Sequence, residues 1–271
     1  MSGSSQRLHL ALLGLAGFFL VLGVWLYLYR RPTLRQYQYV LAFERQPTAA
    51  ERGETLAVLR ARLAEFADPR WRAAIHPQMD GTFLLIYRTS HGPGALAQSM
   101  VPRGFCEIRL LHPRQGELEA AERDGAPDGY EVLDYLQTGD GFNERTGEPI
   151  TTRIPALVKK EPLVSPVAFR SIRFWTEGIA KYTHVRFEFT PEDAAALSRV
   201  VEEAPSTAFA LVVDGAVRVG FQIRPPIREN TIEIQELFDI RETEKLVKIL
   251  RAGALPCRLR IQSKRSCEVG L

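Results

Sequence analysis

The chain has few of the residues from which catalytic and metal centres are usually built. Its 271 residues include three cysteines and five histidines. The motifs HExxH, GxSxG, GxGxxG and CxxC and the phosphate-binding P-loop pattern do not occur in it. Lysine and arginine (35) exceed aspartate and glutamate (32) by only three, which is too small a surplus to indicate nucleic-acid binding.

The histidines and acidic residues do not form a pattern that would hold a metal or a catalytic pair. Four of the histidines lie far apart, each on a predicted strand or turn: His76, His91, His112 and His184. The acidic stretch 124–135 lacks the ligand at position three and the glutamate at position twelve of an EF-hand loop. We therefore predict no enzyme activity, no catalytic residues, no cofactor, no structural metal and no small-molecule substrate.

The three cysteines, Cys106, Cys257 and Cys267, form an odd set. In an oxidising compartment two of them could pair and leave one free. Cys106 lies on a predicted strand and Cys257 just before another, so a contact between them is one interpretation. Three unpaired thiols are the other, which we favour, and the sequence alone does not decide the connectivity.

A run without any charge extends over residues 10–29, LALLGLAGFFLVLGVWLYLY. About 20 apolar residues suffice for a helix to cross a hydrocarbon core of roughly 30 Å. Trp25, Tyr27 and Tyr29 lie at its end, as in an interfacial aromatic belt. A cleaved signal peptide would end in small residues, whereas this run ends in WLYLYRRP. We therefore predict a short tail (1–9) and an uncleaved single-pass membrane anchor (10–29).

The charges beside this anchor leave its orientation open. Arg7 and the amino terminus precede it, and Arg30, Arg31 and Arg35 follow it. The positive-inside rule would place the C-terminal domain in the cytoplasm by an excess of about one charge, but long domains cross membranes largely regardless of such charges.

The residues after the anchor follow the order of a ferredoxin-like unit. Residues 36–44 alternate as a strand, and Thr48 and Glu51 have capping-box spacing before a helix. An apolar stripe runs along that helix at Leu56, Leu59, Leu63 and Phe66. A hairpin follows across Asp80-Gly81, where we expect a type I′ turn, then a short helix within 92–100 and a strand at 105–111. This order is strand, helix, strand, strand, helix, strand.

A second α+β unit is predicted beyond a long connection. Residues 114–147 are rich in Gly, Asp and Glu and are expected to form an exposed connection, with one short strand near 130–136. Strands are then predicted at 182–189, 209–213, 217–223 and 231–235, with a hairpin across Asp214-Gly215. Helices are predicted from Thr190 to Glu203, and from Asp239 and Glu242 through Leu250, the latter ending at Gly253.

Several of these segments resemble the first periplasmic domain of SecD, a subunit of the bacterial protein-export machinery. LVKILRAGALPCRLRI (246–261) is similar to a helix that ends in LRAGALP before a strand, and FALVVDGAVRV (209–219) to a hairpin of the form LAIVLDGKV. YTHVRFEFTPEDAAALSRV (182–200), LAVLRARLAEF (56–66) and FCEIRLL (105–111) resemble further family elements in the same order.

Other segments depart from the SecD pattern. GFQIRPPIRENTIEI (220–234) stands where the family has a segment like SAPVI, and an early Asp-x-x-Gly-Gly segment is not found. SecD proteins continue into further membrane helices that couple to the proton-motive force, whereas this sequence ends at Leu271. We therefore expect no proton-driven motor activity.

The resemblance implies a division into two subdomains and a location. We expect a ferredoxin-like base subdomain at 36–113 plus 254–266, completed by a strand near 258–261, and an inserted head subdomain at 148–253. The resemblance also implies a bacterial inner-membrane protein whose C-terminal domain is periplasmic. Its expected partners are unfolded or envelope polypeptides and the Sec translocon. An architectural domain that docks to another envelope complex is the alternative, and the binding residues are unknown at this stage.

Overall fold

The computed structural model describes residues 35–67, 72–89, 95–113, 118–142, 149–178, 182–235 and 240–268. Within these ranges the chain forms a mixed α+β fold, as predicted. The helices are α1 (Ala49–Phe66), α2 (Ala95–Met100), α3 (Leu118–Asp124), α4 (Pro191–Glu203) and α5 (Ile240–Ala252). The strands are β1 (Arg35–Phe43), β2 (Ala73–Pro77), β3 (Phe83–Thr89), β4 (Cys106–Leu110), β5 (Tyr130–Phe142), β6 (Pro149–Lys159), β7 (Phe169–Glu177), β8 (Tyr182–Phe189), β9 (Ala208–Val213), β10 (Ala216–Gln222), β11 (Thr231–Gln235) and β12 (Leu259–Glu268).

The first sheet is a four-stranded antiparallel sheet in the order β12-β1-β3-β2. Strands β1, β2, β3 and β12, with α1 and α2 between them, follow the ferredoxin-like βαββαβ order, and everything from β4 to α5 is inserted before the last strand. Tyr37, Tyr39 and Leu41 of β1 point toward the helices and pack with Leu59 and Met100. This unit is called the base sheet below.

Helix α1 begins as its sequence predicts, but its buried face differs from the predicted stripe. The Thr48 hydroxyl accepts from the Glu51 N–H, and the Glu51 carboxylate accepts from the Thr48 N–H, which confirms the capping box. The fully buried residues of the helix are Thr55, Leu59 and Arg62. A polar residue and a cation therefore occupy the centre of the face, where an entirely apolar stripe was expected.

The two predicted hairpin turns have different geometries. Asp214 and Gly215 both have positive φ (56° and 82°), as a type I′ turn requires. Between β2 and β3 only Gly81 has positive φ (85°), and its N–H donates to the Gln78 carbonyl oxygen. The expected type I′ turn at Asp80-Gly81 is therefore wrong, because the connection is longer and Asp80 instead accepts from Thr82.

The inserted unit contains a five-stranded sheet, β4-β9-β10-β5-β6, and a three-stranded sheet, β11-β8-β7. Helices α4 and α5 complete a core in which Ile108, Leu211, Phe187, Leu197 and Val247 are buried. Thr190 caps α4 as predicted, accepting from the Asp193 N–H, with Pro191 in the first turn. A smaller cluster covers the other face of the five-stranded sheet.

The strand that we predicted at 105–111 belongs to the inserted unit and not to the base sheet. β4 pairs along its whole length with β9, from Cys106–Val213 to Leu110–Phe209. The place of the fourth base strand is taken by β12, which pairs with β1 from Phe43–Leu259 to Arg35–Glu268. The strand predicted near 258–261 thus completes the base sheet, and it is longer than its sequence pattern indicated.

The region predicted as an exposed connection at 114–147 contains regular structure. Residues 118–124 form α3, and β5 extends from Tyr130 to Phe142, in antiparallel pairing with β6. The expectation of a loop is wrong here because backbone pairing with a partner strand decides the conformation of a sequence whose composition alone favours turns.

Two further sequence features are the predicted anchor and the three cysteines. The predicted anchor at 10–29 lies outside the described residues, and none of the helices in the described ranges is long and apolar enough to cross a bilayer. The three cysteines are free thiols, with Cys106 and Cys257 buried and Cys267 exposed.

Candidate functional site

A cleft in the inserted unit lies between two strands whose edges are open. β11 is the outer strand of its sheet, and β10 pairs with β5 only at Val217–Tyr135 before the two strands diverge. The cleft has a volume of about 480 Å³ and is lined by residues 220–224, 226–227 and 231–234. This volume lies within the range of about 300–1,000 Å³ that is typical of ligand sites.

The register of β11 decides which of its backbone groups are left for a partner. The Phe189 N–H donates to the Asn230 carbonyl oxygen at 2.9 Å, and alternate residues of β11 after Asn230 point the same way, toward β8. Thr231 and Glu233 therefore point their backbone groups away from β8. The Thr231 N–H donates to the Arg228 carbonyl oxygen at 2.9 Å. The Thr231 carbonyl and both backbone groups of Glu233 thus have no strand partner among the residues that the structure describes.

Most of the exposed lining of this cleft is polar, and two apolar side chains lie within it. Phe221 is half-buried, with its ring centroid 5.7 Å from that of Phe209. Ile227 is also half-buried and packs on the core of the inserted unit, whereas Arg224 is exposed. An extended peptide with alternating apolar side chains would match such a surface.

The side chain of Glu233 is held on the outer face of the three-stranded sheet. Its carboxylate accepts from the Arg186 guanidinium at 2.9 Å and lies 3.3 Å from His184 Nδ1. The hydrogen bond from Arg186 lowers the pKa of Glu233. The His184 ring stacks on the Trp175 ring, with their centroids 5.3 Å apart. The Arg186 guanidinium lies 5.4 Å from the centroid of the Trp175 ring. These contacts fix β11 in a regular extended conformation at the edge of the cleft.

A buried arginine fixes the place where the chain passes between the base sheet and the inserted unit. Arg62 of α1 is completely buried. Its guanidinium donates to the carbonyl oxygens of Met100, Pro102, Arg103 and Gly253, with distances of 2.9 Å to Met100, 3.0 Å to Arg103 and 3.2 Å to Gly253. Burial lowers the pKa of Arg62 to about 10, so the group remains charged at neutral pH.

Both crossings of the chain meet at this guanidinium. Residues 100–103 lead from the base helices into β4, and Gly253 ends α5 with φ 91° before the chain returns to β12. Gly104 has φ 71°, and a Cβ there would lie 2.8 Å from Ile249 Cγ2 and 2.9 Å from Arg62 Nη2. The Asp214 carboxylate accepts from the N–H groups of Gly104 and Phe105 at 3.1 Å and 2.9 Å. These residues are called the junction below.

The structure keeps apart the histidines considered in the sequence. His76 is exposed in the base sheet, His112 packs edge-on against Tyr130 at 4.6 Å, and His184 belongs to the Glu233 cluster. His91 lies outside the described residues. In the part of the chain that the structure describes, no three His, Cys, Asp or Glu side chains gather in a way that could hold a metal ion.

The sequence contains one indication of the cleft and no direct indication of the junction. The cleft is lined by the segment GFQIRPPIRENTIEI (220–234), the same segment in which the chain departs from the SecD pattern. Arg62 lies in the Arg-Leu pair by which 56–66 resembles a SecD helix, but a charged residue on a helix is ordinarily expected to face solvent.

Comparisons with known proteins agree with the resemblance seen in the sequence. A family model of the SecDF P1 head subdomain matches residues 142–257. The protein translocase subunit SecD of Dictyoglomus turgidum is 34% identical over 84 residues, which are 31% of this chain and 21% of that protein. The protein translocase subunit SecD of Calditerrivibrio nitroreducens is 24% identical over 133 residues, 49% of this chain and 26% of that protein.

Solved structures extend the similarity to the fold as a whole. A structure described as a membrane component SecDF that enhances protein export covers 83% of this chain and 98% of its own, with a TM-score of 0.54 and 18% identity. SecDF in a super-membrane-facing form covers 96% of this chain and 35% of its own, with a TM-score of 0.60 and 18% identity. The chain spans only about a fifth to a quarter of the length of the curated relatives that it matches. Residues 142–257 are thus similar to the SecDF P1 head subdomain, and the fold is similar to that of solved SecDF structures.

Proposed function

We propose that this protein is a non-enzymatic, membrane-anchored SecD-like module that binds extended segments of translocating or envelope polypeptides in the cleft between β10 and β11. The observation that carries the proposal is the open edge of β11, where the Thr231 carbonyl and both backbone groups of Glu233 have no strand partner among the described residues. A sheet edge binds an extended chain by main-chain hydrogen bonds, which are largely independent of sequence.

This mode of binding suits a partner whose side chains vary. The apolar patches at Phe221 and Ile227 favour a segment that still exposes apolar residues, as an unfolded chain does. We infer that the module acts as an accessory to protein export, beside the Sec translocon. A single binding equilibrium does no net work without an energy input, so the proposed role is to hold a segment and not to pull it.

The proposed arrangement places the module on the outer side of the bacterial inner membrane. The charge-free run at 10–29 would be its single-pass anchor, and the similarity to SecD supports a periplasmic C-terminal domain. We propose that the base subdomain consists of the base sheet with α1 and α2. The head subdomain is then the whole insertion from β4 to α5, because β4 pairs with β9.

A peptide with selectively blocked backbone amides tests main-chain recognition. The full chain, purified in detergent, would be titrated with a fluorescent peptide of alternating Val and Thr, and with the same peptide N-methylated at alternate residues on the edge that would pair with β11. We expect the unmodified peptide to bind and the methylated peptide to lose at least about tenfold in affinity, because each lost hydrogen bond costs about 0.5–1.5 kcal/mol. Equal binding of the two peptides would contradict recognition by the edge.

Two substitutions at one position separate the backbone edge from the carboxylate. Glu233→Ala removes the side chain but keeps the N–H on the open edge, whereas Glu233→Pro removes both. We expect Glu233→Pro to weaken peptide binding several-fold more than Glu233→Ala. Crosslinking in intact membranes then distinguishes the alternative role, because a docking domain would capture one folded partner and leave unfolded peptides unbound.

A further inference from the structure

We propose that one end of the base sheet docks on anionic phospholipid headgroups of the membrane that holds the anchor. Five cations lie at this end, called the basic end below: Arg35, Arg72, Arg88, Lys264 and Arg265. The inference rests on the proposed anchor and adds a lipid partner that neither the cleft nor the similarity to SecD supplies.

The strand register brings these cations together from four segments. Gln36 lies opposite Arg88 on β3, and Gln38 lies opposite Arg265 on β12. The Arg88 N–H donates to the Arg72 carbonyl oxygen at 3.2 Å, which places Arg72 at the same end of the sheet. Within the described residues at this end, the acidic residue in register is Glu268, opposite Arg35. The end therefore carries a surplus of positive charge.

Most of these side chains extend into solvent. Arg72 and Arg265 are exposed, and their guanidinium groups have no hydrogen-bond or ion-pair partner within the ranges that the structure describes. Lys264 is exposed, with its ammonium 6.0 Å from the Tyr39 ring. Arg88 donates through Nε to the Gln36 side chain at 2.9 Å. These groups can meet an external anion without breaking an ion pair between described residues.

The opposite end of the same sheet carries charges of both signs, and some of them are satisfied internally. Arg45 forms an ion pair with Glu51, which also accepts from the Thr48 N–H. Asp80 accepts from the backbone and hydroxyl of Thr82 at 2.9 Å and 2.7 Å. Arg258 and Arg260 are exposed at this end as well, but Glu44, Glu51 and Asp80 accompany them. The two ends therefore differ in how many acidic groups lie beside their cations.

Covalent geometry places the basic end near the bilayer. Five residues, 30–34, separate the charge-free run from Arg35, and a fully extended connection of this length spans at most about 20 Å. The opposite end of β1 lies about 25 Å further along the strand at about 3.3 Å per residue. Juxtamembrane cations are attracted by anionic lipids within a Debye length of about 8–10 Å. The basic end is the end of β1 that lies nearer to the proposed anchor along the chain, so its cations need the shortest approach to the lipid headgroups.

A fluorophore on Cys267 reports this docking directly. Cys267 is the exposed thiol, whereas Cys106 and Cys257 are buried, and it lies opposite Gln36 at the basic end. The labelled full chain would be placed in nanodiscs of phosphatidylcholine, alone or mixed with phosphatidylglycerol, each with a headgroup-attached quencher. We expect quenching to rise when phosphatidylglycerol is present and to fall back at high salt.

Matched charge variants decide between docking and a general charge effect. The variant with Arg72→Gln, Arg88→Gln and Arg265→Gln should lower the ratio of docked to undocked protein by about 100-fold. The control is the variant with Arg170→Gln, Arg173→Gln and Arg199→Gln, three exposed arginines of the inserted unit, and it should leave quenching unchanged. Circular dichroism would show that both variants fold.

The outcomes separate this proposal from the proposed function. If the chain enters nanodiscs but quenching is the same with neutral and anionic lipid, the anchor stands and the docking is refuted. Equal loss of quenching in both triple variants would also refute it. If the chain does not enter nanodiscs at all, the anchor fails and the docking fails with it, while peptide binding in the cleft would be unaffected.

Discussion

The junction and the cleft treat backbone polar groups in opposite ways. At the junction, four carbonyl oxygens converge on the buried guanidinium of Arg62, and two N–H groups on the carboxylate of Asp214. At the cleft, the strand edge of β11 has backbone groups without a strand partner among the described residues. The hydrogen bonds at the junction stabilise the folded chain, whereas the backbone groups at the cleft are able to bind another chain.

This difference separates the expected effects of substitutions. Changes at the junction should lower the free energy of unfolding, because they leave buried polar groups without partners. Changes at the cleft should alter peptide binding and leave stability nearly unchanged, because solvent already reaches the groups involved. Substitutions that violate this separation would show that the two regions are coupled.

The largest effect is expected from Arg62→Met. Methionine fills much of the same volume but leaves the carbonyl oxygens of Met100, Pro102, Arg103 and Gly253 without their donor. We expect the free energy of unfolding to fall by about 3–5 kcal/mol, measured by urea titration of the full chain in detergent.

The control for Arg62→Met lies on the same helix. Arg60 is exposed, and Arg60→Met should change the free energy of unfolding by no more than about 0.5 kcal/mol. If the two variants were equally stable, Arg62 would not be the residue that fixes the junction.

A smaller loss is expected from Gly104→Ala. Its positive φ of 71° and a Cβ only 2.8 Å from Ile249 Cγ2 impose both backbone strain and a steric clash. We expect a loss of about 3 kcal/mol in the same titration. Gly125→Ala is the matched control, since Gly125 has φ 94° but nothing within 4 Å of a Cβ, and it should cost only about 1–2 kcal/mol. If Gly104→Ala lost no more free energy of unfolding than Gly125→Ala, the contact with Ile249 would not destabilise the variant.

At the cleft, Glu233→Pro and Glu233→Ala should differ little in stability although they differ in peptide binding. Proline is tolerated on a strand edge when its missing N–H faces away from the sheet. The free energies of unfolding of the two variants should therefore agree within about 1 kcal/mol. A much less stable proline variant would mean that the Glu233 N–H already has an internal partner.

Local sequence patterns predict the elements of this fold better than their partners. The capping box at Thr48 and Glu51, the cap at Thr190 and the turn at Asp214-Gly215 depend on a few neighbouring residues, and all three are present in the structure. The assignment of β4 to the base sheet was wrong because the same alternating pattern fits either sheet. Only the pairing with β9, about a hundred residues away, decides it.

Local sequence patterns predict the junction and the cleft less well than they predict the helices and strands. Among the described residues no carboxylate forms an ion pair with Arg62 that would mark it, and its acceptors are backbone carbonyls from residues 38 to 191 positions away. The cleft lies between β10 and β11, which belong to different sheets. A local sequence pattern does not contain this sheet order. The sequence trace of the cleft is the departure of 220–234 from the SecD pattern.

The smallest expected effect concerns the pH dependence of the Glu233 cluster. The hydrogen bond from Arg186 lowers the pKa of Glu233 below its ordinary value of 4.5, and the contact with His184 acts in the same direction. A carboxyl group with a lowered pKa in the folded state adds stability that is fully present above its unfolded pKa and is lost as pH falls through its folded pKa. Glu233→Gln should therefore be less stable than the native protein at pH 7, by a small amount because the side chain is about one-third exposed. The difference between the two proteins in urea titrations should shrink as the pH is lowered below about 4.5 and vanish once the carboxylate is protonated. A difference that persists unchanged at the lowest pH would show that the carboxylate charge contributes nothing, and that β11 is fixed by the stacking of Trp175 and His184 instead.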